Sequence, residues 1–470
     1  MSNLEVKNPS TGEVIATYLY TDEQAIHSKI ERAHQAFLSW RDVDAHERSR
    51  LLWAWSALIK DNREALARLI TLEGGKPYAE ALGEVDYAVS YVDWYAEEAK
   101  RTYGRTVPAN TPDKKIIIDK FPVGVVAAIT PWNFPAAMIT RKMAPALAAG
   151  CTIVCKPATE TPMTTIRLVE LAHEAGIPED AISYVLASGK TAGEIFTTHP
   201  DVQKVTFTGS TPVGKKLIEQ SASTVKNVTM ELGGLAPLIV HKDADIDQAV
   251  AQTIATKFRN AGQTCICANR IYVHHAIADE YERQLIEQVH ALKVGDGMAE
   301  DVKVGPLINE KAVEKVIDHL QDAKQHGGQL SRSWDEVKLG GNFINPVVVT
   351  QANQEMKCMH EETFGPVAPV MRYEDLDEAI RMANDTEFGL AAYFFTNDYR
   401  TGLYIYNHLD YGVIGWNDGG PSAAHAPFGG MKESGYGREG GIEGGIEGGI
   451  EGIEPYLETK YLSIKVDDPS

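Results

Sequence analysis

The stretch Val123-Gly-Val-Val-Ala-Ala-Ile129-Thr-Pro-Trp-Asn133-Phe-Pro135, continued by Ala136-Ala-Met-Ile-Thr-Arg141-Lys142-Met-Ala-Pro-Ala-Leu-Ala-Ala149 and Gly150-Cys-Thr-Ile153-Val-Cys-Lys156, decides the fold. Residues 123–129 form an apolar run of buried-strand length. Two prolines then fix a rigid turn. Residues 136–149 read as a helix and 153–156 as a second strand. Strand, turn, helix and strand make a βαβ unit, and such units build parallel sheets.

The alternation continues outward. Residues 164–175 and 213–221 read as helices, and 202–207 and 226–231 as strands. A second alternating series runs from 238 to about 416, with helices over 245–258, 277–292 and 310–326. Upstream, 5–20 is an extended piece, 23–40, 46–61 and 78–101 are helical, and 114–121 is a strand. The expected architecture is α/β: two side-by-side Rossmann-like domains with a small β arm. The tail departs from this pattern. Residues 440–454 repeat Gly-Gly-Ile-Glu, a composition that disfavours helix and strand and reads as a surface insert. Residues 456–466 read as a terminal strand, which needs a sheet to join. A partner subunit is one source of that sheet.

Composition narrows the function. The chain has 470 residues, long enough for a large core and, at roughly 150 residues per unit, about three folding units. Apolar residues at 44% and charged residues at 23% exclude disorder for its bulk. No run reaches the ~18 apolar residues of a membrane helix. The start lacks a basic segment leading into an apolar one, so no secretory signal is expected and the chain reads as cytoplasmic. Lys plus Arg number 45 against 65 Asp plus Glu, and the resulting charge of −20 repels nucleic acid. The cysteines, Cys151, Cys155, Cys265, Cys267 and Cys358, are an odd, sparse set, which argues against a disulfide framework. None has zinc-ligand spacing with a second pair or a histidine, so no metal is expected.

Four places carry candidate chemistry. Cys265 lies in a Gly-Gln-Thr turn before a strand, where a lowered thiol pKa would make it a nucleophile, although free cysteines are also common inert core groups. Glu231 ends a strand and is followed by Leu-Gly-Gly234, at the carboxyl end of a sheet where α/β sites lie; a plain surface carboxylate is the other reading. Asn133, in its proline-braced turn, can hold an oxyanion or simply make the turn. Phe207-Thr-Gly209-Ser210-Thr-Pro-Val-Gly214 follows a strand and opens a helix, a ready pyrophosphate site. The Gly-x-Gly-x-x-Gly at 435–440 follows no strand and is treated as accidental.

Together, in this order, these motifs resemble the aldehyde dehydrogenase superfamily over essentially the whole chain. The carriers are Pro-Trp-Asn-Phe-Pro at 131–135, Lys156-Pro-Ala158, Phe207-Thr-Gly-Ser210, Glu231-Leu-Gly-Gly234, Gly262-Gln-Thr-Cys265, Glu362-Thr-Phe364-Gly-Pro-Val and Pro427-Phe-Gly-Gly430. The resemblance implies that Cys265 attacks an aldehyde carbon to form a thiohemiacetal. It implies that the Asn133 amide and the Cys265 N–H hold the oxyanion, and that Glu231 activates the water that cleaves the thioester. For the cofactor it implies Gly209 and Ser210 at the pyrophosphate, Lys156 at the adenosine ribose, Glu362 at the nicotinamide ribose, and Trp132, Leu232 and Phe364 packed nearby. NAD-preferring relatives carry a glutamate three residues after the lysine; here that position is Thr159, with Glu160 one residue on. Without a carboxylate at 159 a 2′-phosphate is not repelled and Lys156 can pair with it, so NADP is expected, with NAD also accepted.

Within the superfamily the chain looks most like the succinate-semialdehyde dehydrogenases, through Ala137-Met-Ile-Thr-Arg141-Lys142 and Phe258-Arg259-Asn-Ala-Gly-Gln-Thr-Cys-Ile-Cys-Ala-Asn-Arg270. The resemblance places the distal carboxylate of the substrate on Arg141, Arg259 and Ser422. It gives an NAD(P)-dependent oxidation of succinate semialdehyde to succinate, with glutarate semialdehyde as an alternative substrate. A cofactor-free cysteine hydrolase using Cys265 and His425 is the reading from a different class. The resemblance also implies a coenzyme-binding domain over 1–232, whose 104–121 segment contributes to an oligomerisation arm, and a catalytic domain over 233–430. A Gly-rich loop over 431–454 then returns to the first domain, and 455–470 is an oligomerisation strand. A homodimer or homotetramer is expected.

Overall fold

The computed structural model describes residues 2–335, 339, 341–440 and 452–465. Residues 441–451, which hold most of the Gly-Gly-Ile-Glu repeat, and residue 466 of the expected terminal strand lie outside the described residues.

The βαβ unit forms around a fully buried strand, Val125–Ile129, a fully buried helix, Ala137–Ala149, and the strand Thr152–Lys156, which pairs in parallel with the first. The first strand begins at Val125 and not at 123 because Gly124 adopts φ 131°, outside the extended region of L-residues. This unit sits in a six-stranded sheet ordered Gly435–Tyr436, Asn227–Glu231, Val202–Thr208, Val125–Ile129, Thr152–Lys156, Ile182–Tyr184. All neighbours are parallel except the Gly435–Tyr436 edge. The chain adds two strands on one side of Val125–Ile129 and then crosses back to add two on the other. The carboxyl ends at such a reversal form a crevice open to ligands.

A second sheet of seven strands follows: Gln329–Leu330, Val347–Thr350, Val367–Tyr373, Ala268–His274, Ala236–Val240, Ala391–Phe395, Val413–Trp416. Only the Gln329–Leu330 edge is antiparallel. The chain therefore leaves the first sheet at its carboxyl end, through Glu231, and enters the second at its amino end, through Ala236. Between residues 431 and 436 it crosses back: Met431–Lys432 pairs with Phe388–Gly389, and Gly435 with Glu231.

The opening hundred residues give the expected helices Glu23–Trp40, Ala45–Asp61 and Tyr78–Glu98, plus a further one, Arg63–Gly74. Asn62, at φ −98° and ψ 13°, both ends the second helix and starts the extra one. Trp55, Tyr91 and Tyr95 pack in one core with Ala137–Ala149. The extended N-terminal piece is a hairpin, Asn3–Lys7 with Val14–Leu19. The terminal strand, Leu457–Lys465, joins a sheet of its own chain: it pairs antiparallel with Lys114–Pro122, which pairs with Arg105–Val107.

Candidate active site

Two cavities meet at Cys265. The first, about 430 Å³, is lined by Tyr87, Phe134, Arg141, Arg259, Ser422 and Phe428 among others. The second, about 360 Å³, is lined by the carboxyl-end loops of the first sheet, including Trp132, Asn133, Gly209, Ser210 and Leu232, with Glu362 and Phe364 opposite. Cys265 and Met138 are the residues common to both linings. Cys265 is thus open to one space holding two guanidinium groups and to another built at a helix N-terminus.

The loop before Cys265 is tightly turned. Asn260, Ala261 and Gly262 have φ of 50°, 56° and 76°, three successive left-handed residues of which only the last is glycine. Such strain persists where surrounding bonds fix it. Glu80 Oε2 accepts the Asn260 N–H at 2.7 Å, Asn260 Nδ2 donates to Asn133 O at 3.2 Å, and Gln263 Oε1 accepts the Ile308 N–H at 2.9 Å. Asn133 Nδ2 donates to Gln263 O at 3.0 Å, tying the proline-braced turn to the cysteine loop. The turn is held from behind as well. Lys76 Nζ donates to Asn133 O at 2.9 Å, pairs with the buried Glu84 carboxylate and lies 3.6 Å from the centre of the Phe134 ring. Glu84 Oε1 accepts the Ala136 N–H at 2.9 Å. Asn133 therefore has a fixed backbone, with one amide hydrogen engaged and the other without a partner among the described residues.

The site is electrostatically poised. Burial pushes the Cys265 thiol up to about 12; Arg141 opposes this, while Glu362 and Glu231 add to it. Burial also raises Glu231 well above the usual carboxylate range, helped by Glu439, whereas Arg141, Lys142 and Arg438 pull it down. Neither Glu231 oxygen has a hydrogen-bond partner among the described residues, and Glu231 lines neither cavity. The room around it comes from Gly429, where a Cβ would stand 2.9 Å from Glu231 Oε1. Glu439 is the buried partner of both Arg141 and Lys142. Sequence reasoning missed Glu439, since nothing local marks a residue whose partners lie some 300 positions away. It also missed Lys76 and Glu84, which stand behind the site and not in it.

The two arginines reach the first cavity by different routes. Arg141 is one turn into the helix Ala137–Ala149, with its guanidinium 4.7 Å from the centre of the Phe428 ring. Asn133 precedes that helix, so it and Arg141 do not share a helical face. Arg259 lies 4.8 Å from the centre of the Phe134 ring. Ser422 Oγ sits 2.5 Å from Tyr87 Oη.

The second cavity suits a dinucleotide. Ser210 precedes the helix Thr211–Ser221 and its side chain makes no capping bond, which leaves the helix N-terminus available to an anion. Glu362 Oε1 is buried without a partner among the described residues, and burial pushes this carboxyl up to about 7. Trp132 and Phe364 meet edge to face at 5.6 Å. Lys156 and Thr159 are not in the lining; Lys156 is buried at its strand end, and Thr159 Oγ1 donates to Glu160 Oε2 at 3.1 Å. Lys311 and Lys315, which no motif marked, line the cavity from the helix Glu310–Gln325. Among the described residues no histidine lines either cavity; His425 instead lies tilted against Trp94, ring centres 6.3 Å apart, in a separate groove.

This geometry is that of an oxidoreductase of carbonyl compounds, and the chain belongs to the aldehyde dehydrogenase family, whose model matches residues 1–460. It is 49% identical over 459 residues to the 3-sulfolactaldehyde dehydrogenase of Pseudomonas putida, covering 98% of this chain and 93% of that one. It is 49% identical to the glutarate-semialdehyde dehydrogenase of Pseudomonas putida KT2440, covering 98% and 94%. To the succinate-semialdehyde dehydrogenase of Escherichia coli K12, whose name specifies NADP(+), it is 47% identical over the same shares, 98% and 94%. The crystal structure of succinate-semialdehyde dehydrogenase from Burkholderia pseudomallei superposes with a TM-score of 0.96 at 46% identity, covering 99% of this chain and 95% of that one.

Proposed function

We propose that the protein oxidises succinate semialdehyde to succinate, with NADP preferred and NAD also accepted. The observation that carries this reading is Cys265 at the junction of a two-guanidinium cavity and one lined by Gly209, Ser210 and Glu362. Arg141, Arg259 and Ser422 hold the distal carboxylate and turn the aldehyde carbon toward Cys265 Sγ. The sulfur adds to that carbon as its thiolate, its proton passing to water, and the Asn133 amide hydrogen that has no partner among the described residues takes the developing oxyanion together with the Cys265 N–H. The residues of the second cavity would hold a nicotinamide dinucleotide, which when bound would supply a hydride acceptor. Gly209 and Ser210 would hold its pyrophosphate, Glu362 its nicotinamide ribose, and Trp132, Leu232 and Phe364 its flanks. Loss of hydride leaves a thioester on Cys265. Glu231, rotated out of its buried site, takes a proton from the water that cleaves the thioester, releasing the acid and the thiol. The neutral Thr159 supports acceptance of a 2′-phosphate, with Lys156 as its cation.

Glutarate semialdehyde is the second reading, supported by 49% identity to a glutarate-semialdehyde dehydrogenase against 47% to the succinate-semialdehyde dehydrogenase of Escherichia coli. We also infer a cytoplasmic homodimer or homotetramer. Five unpaired cysteines suit a reducing compartment. Exposed Phe121, Tyr461, Leu462 and Ile464 on the arm suit burial against a second copy.

Steady-state kinetics test the substrate. Arg141→Ala and Arg259→Ala should each lower kcat/KM for succinate semialdehyde at least about tenfold relative to butanal, as expected for loss of a charge-assisted contact. Equal losses on both aldehydes would reject the carboxylate clamp.

A further inference from the structure

The anion-binding end of the first cavity carries a chain of three hydroxyls. Ser422 Oγ lies 2.5 Å from Tyr87 Oη, and Tyr87 Oη lies 2.6 Å from Tyr91 Oη. The tyrosines stand four residues apart on the helix Tyr78–Glu98, one turn above the other on a single face. Tyr87 lines the cavity beside Arg141 and Ser422, and Tyr91 is fully buried behind it.

Burial gives the chain a direction. Each hydroxyl has one proton to donate. Tyr91 Oη has no hydrogen-bond partner but Tyr87 among the described residues, and no access to solvent. If Ser422 donated to Tyr87 and Tyr87 to Tyr91, the last phenolic proton would be a buried donor facing no acceptor, an arrangement native structures avoid. In the other direction every proton is used: Tyr91 donates to Tyr87, Tyr87 donates to Ser422, and the Ser422 proton is left for the cavity. Burial, with Tyr87 adjacent, holds the Tyr91 phenol well above its ordinary range, so its proton stays in place.

We propose that Tyr87 and Tyr91 are positioning residues that fix the Ser422 hydroxyl as a donor aimed into the cavity, and so favour aldehydes bearing a distal anionic group over neutral ones. This inference rests on the functional reading above. The guanidinium groups attract any anion in reach; the oriented hydroxyl sets where along the cavity the anion stops. An anion at the end of the chain polarises each preceding bond in the same sense, which strengthens all three.

The test is a kinetic comparison of wild type, Tyr87→Phe, Tyr91→Phe, Ser422→Ala and the Tyr87→Phe/Ser422→Ala double variant, with succinate semialdehyde and butanal. Phenylalanine keeps the ring and removes only the hydroxyl, and thermal unfolding checks that each variant folds. Tyr87→Phe should raise KM for succinate semialdehyde about fivefold, the worth of one hydrogen bond, with kcat changed less than about twofold. The preference for succinate semialdehyde over butanal should fall by the same factor. Tyr91→Phe should shift KM in the same direction by less, and the double variant should be no worse than Ser422→Ala alone. Additive losses in the double variant, an unchanged preference ratio, or a fall in kcat with KM constant would overturn the proposal. A wild type without preference for the carboxylated aldehyde would overturn the functional reading and this one together; a wild type with that preference, unmoved by Tyr87→Phe, overturns this one alone.

Discussion

Burial holds the Cys265 thiol near 12, against about 8.5 for a free cysteine, so the sulfur is protonated at neutral pH. Without dinucleotide, the rate of Cys265 alkylation by iodoacetamide should keep rising about tenfold per pH unit from about pH 7 to 10, following the thiolate fraction. A plateau near neutral pH, read from the inactivation rate, would show that a neighbouring cation already ionises it. Glu362 makes the complementary case. Its carboxyl is held up to about 7, so it is charged above that pH and neutral below it. A neutral carboxyl is the weaker acceptor for a ribose hydroxyl. KM for the dinucleotide should therefore climb as pH falls through about 7, and Glu362→Gln should flatten that climb; equal slopes in initial-rate measurements would remove Glu362 from the cofactor site. Cys265 and Asn133 are legible in sequence because their chemistry depends on residue type within a short turn. Glu439 is not legible, because its meaning lies in contact with Arg141 and Lys142 on a distant helix.

The turn that presents Asn133 depends on an element with no chemistry of its own. Lys76 and Glu84, both buried, clamp the Asn133 carbonyl and the Ala136 N–H from the helix side. Removing one charge from a buried pair leaves the other uncompensated. Glu84→Gln should lower stability by about 3–5 kcal/mol in urea unfolding and reduce kcat more than it changes KM. A loss below about 1 kcal/mol, the range of exposed pairs, would contradict the clamp. Four strands of the first sheet are readable in sequence, bounded by Gly and Pro; Ile182–Tyr184 is not, because three residues carry no periodicity. The helix Arg63–Gly74 escapes because only Asn62 separates it from the helix before, with no glycine or proline to mark a break. The edge Gly435–Tyr436 escapes because a two-residue strand has no periodicity.

Across the whole molecule, two α/β sheets set the carboxyl end of one against the amino end of the other, and the cysteine loop closes the gap. The alternation of strands and helices makes that division legible; the return of the chain through residues 431–436 is not, since register against Glu231 is a tertiary choice. The arm exposes Phe121, Tyr461, Leu462 and Ile464. A chain ending at Tyr456 should run as a monomer in light scattering where the full chain runs as a dimer or tetramer, and unchanged assembly would remove the arm as the interface. A single turnover of the complete enzyme traps the acyl group where it forms. Glu231→Gln, mixed with succinate semialdehyde and NADP and quenched in acid, should retain a succinyl thioester on the peptide carrying Cys265, detected by mass spectrometry. Turnover without any adduct there, or undiminished turnover by Cys265→Ala, would contradict the account.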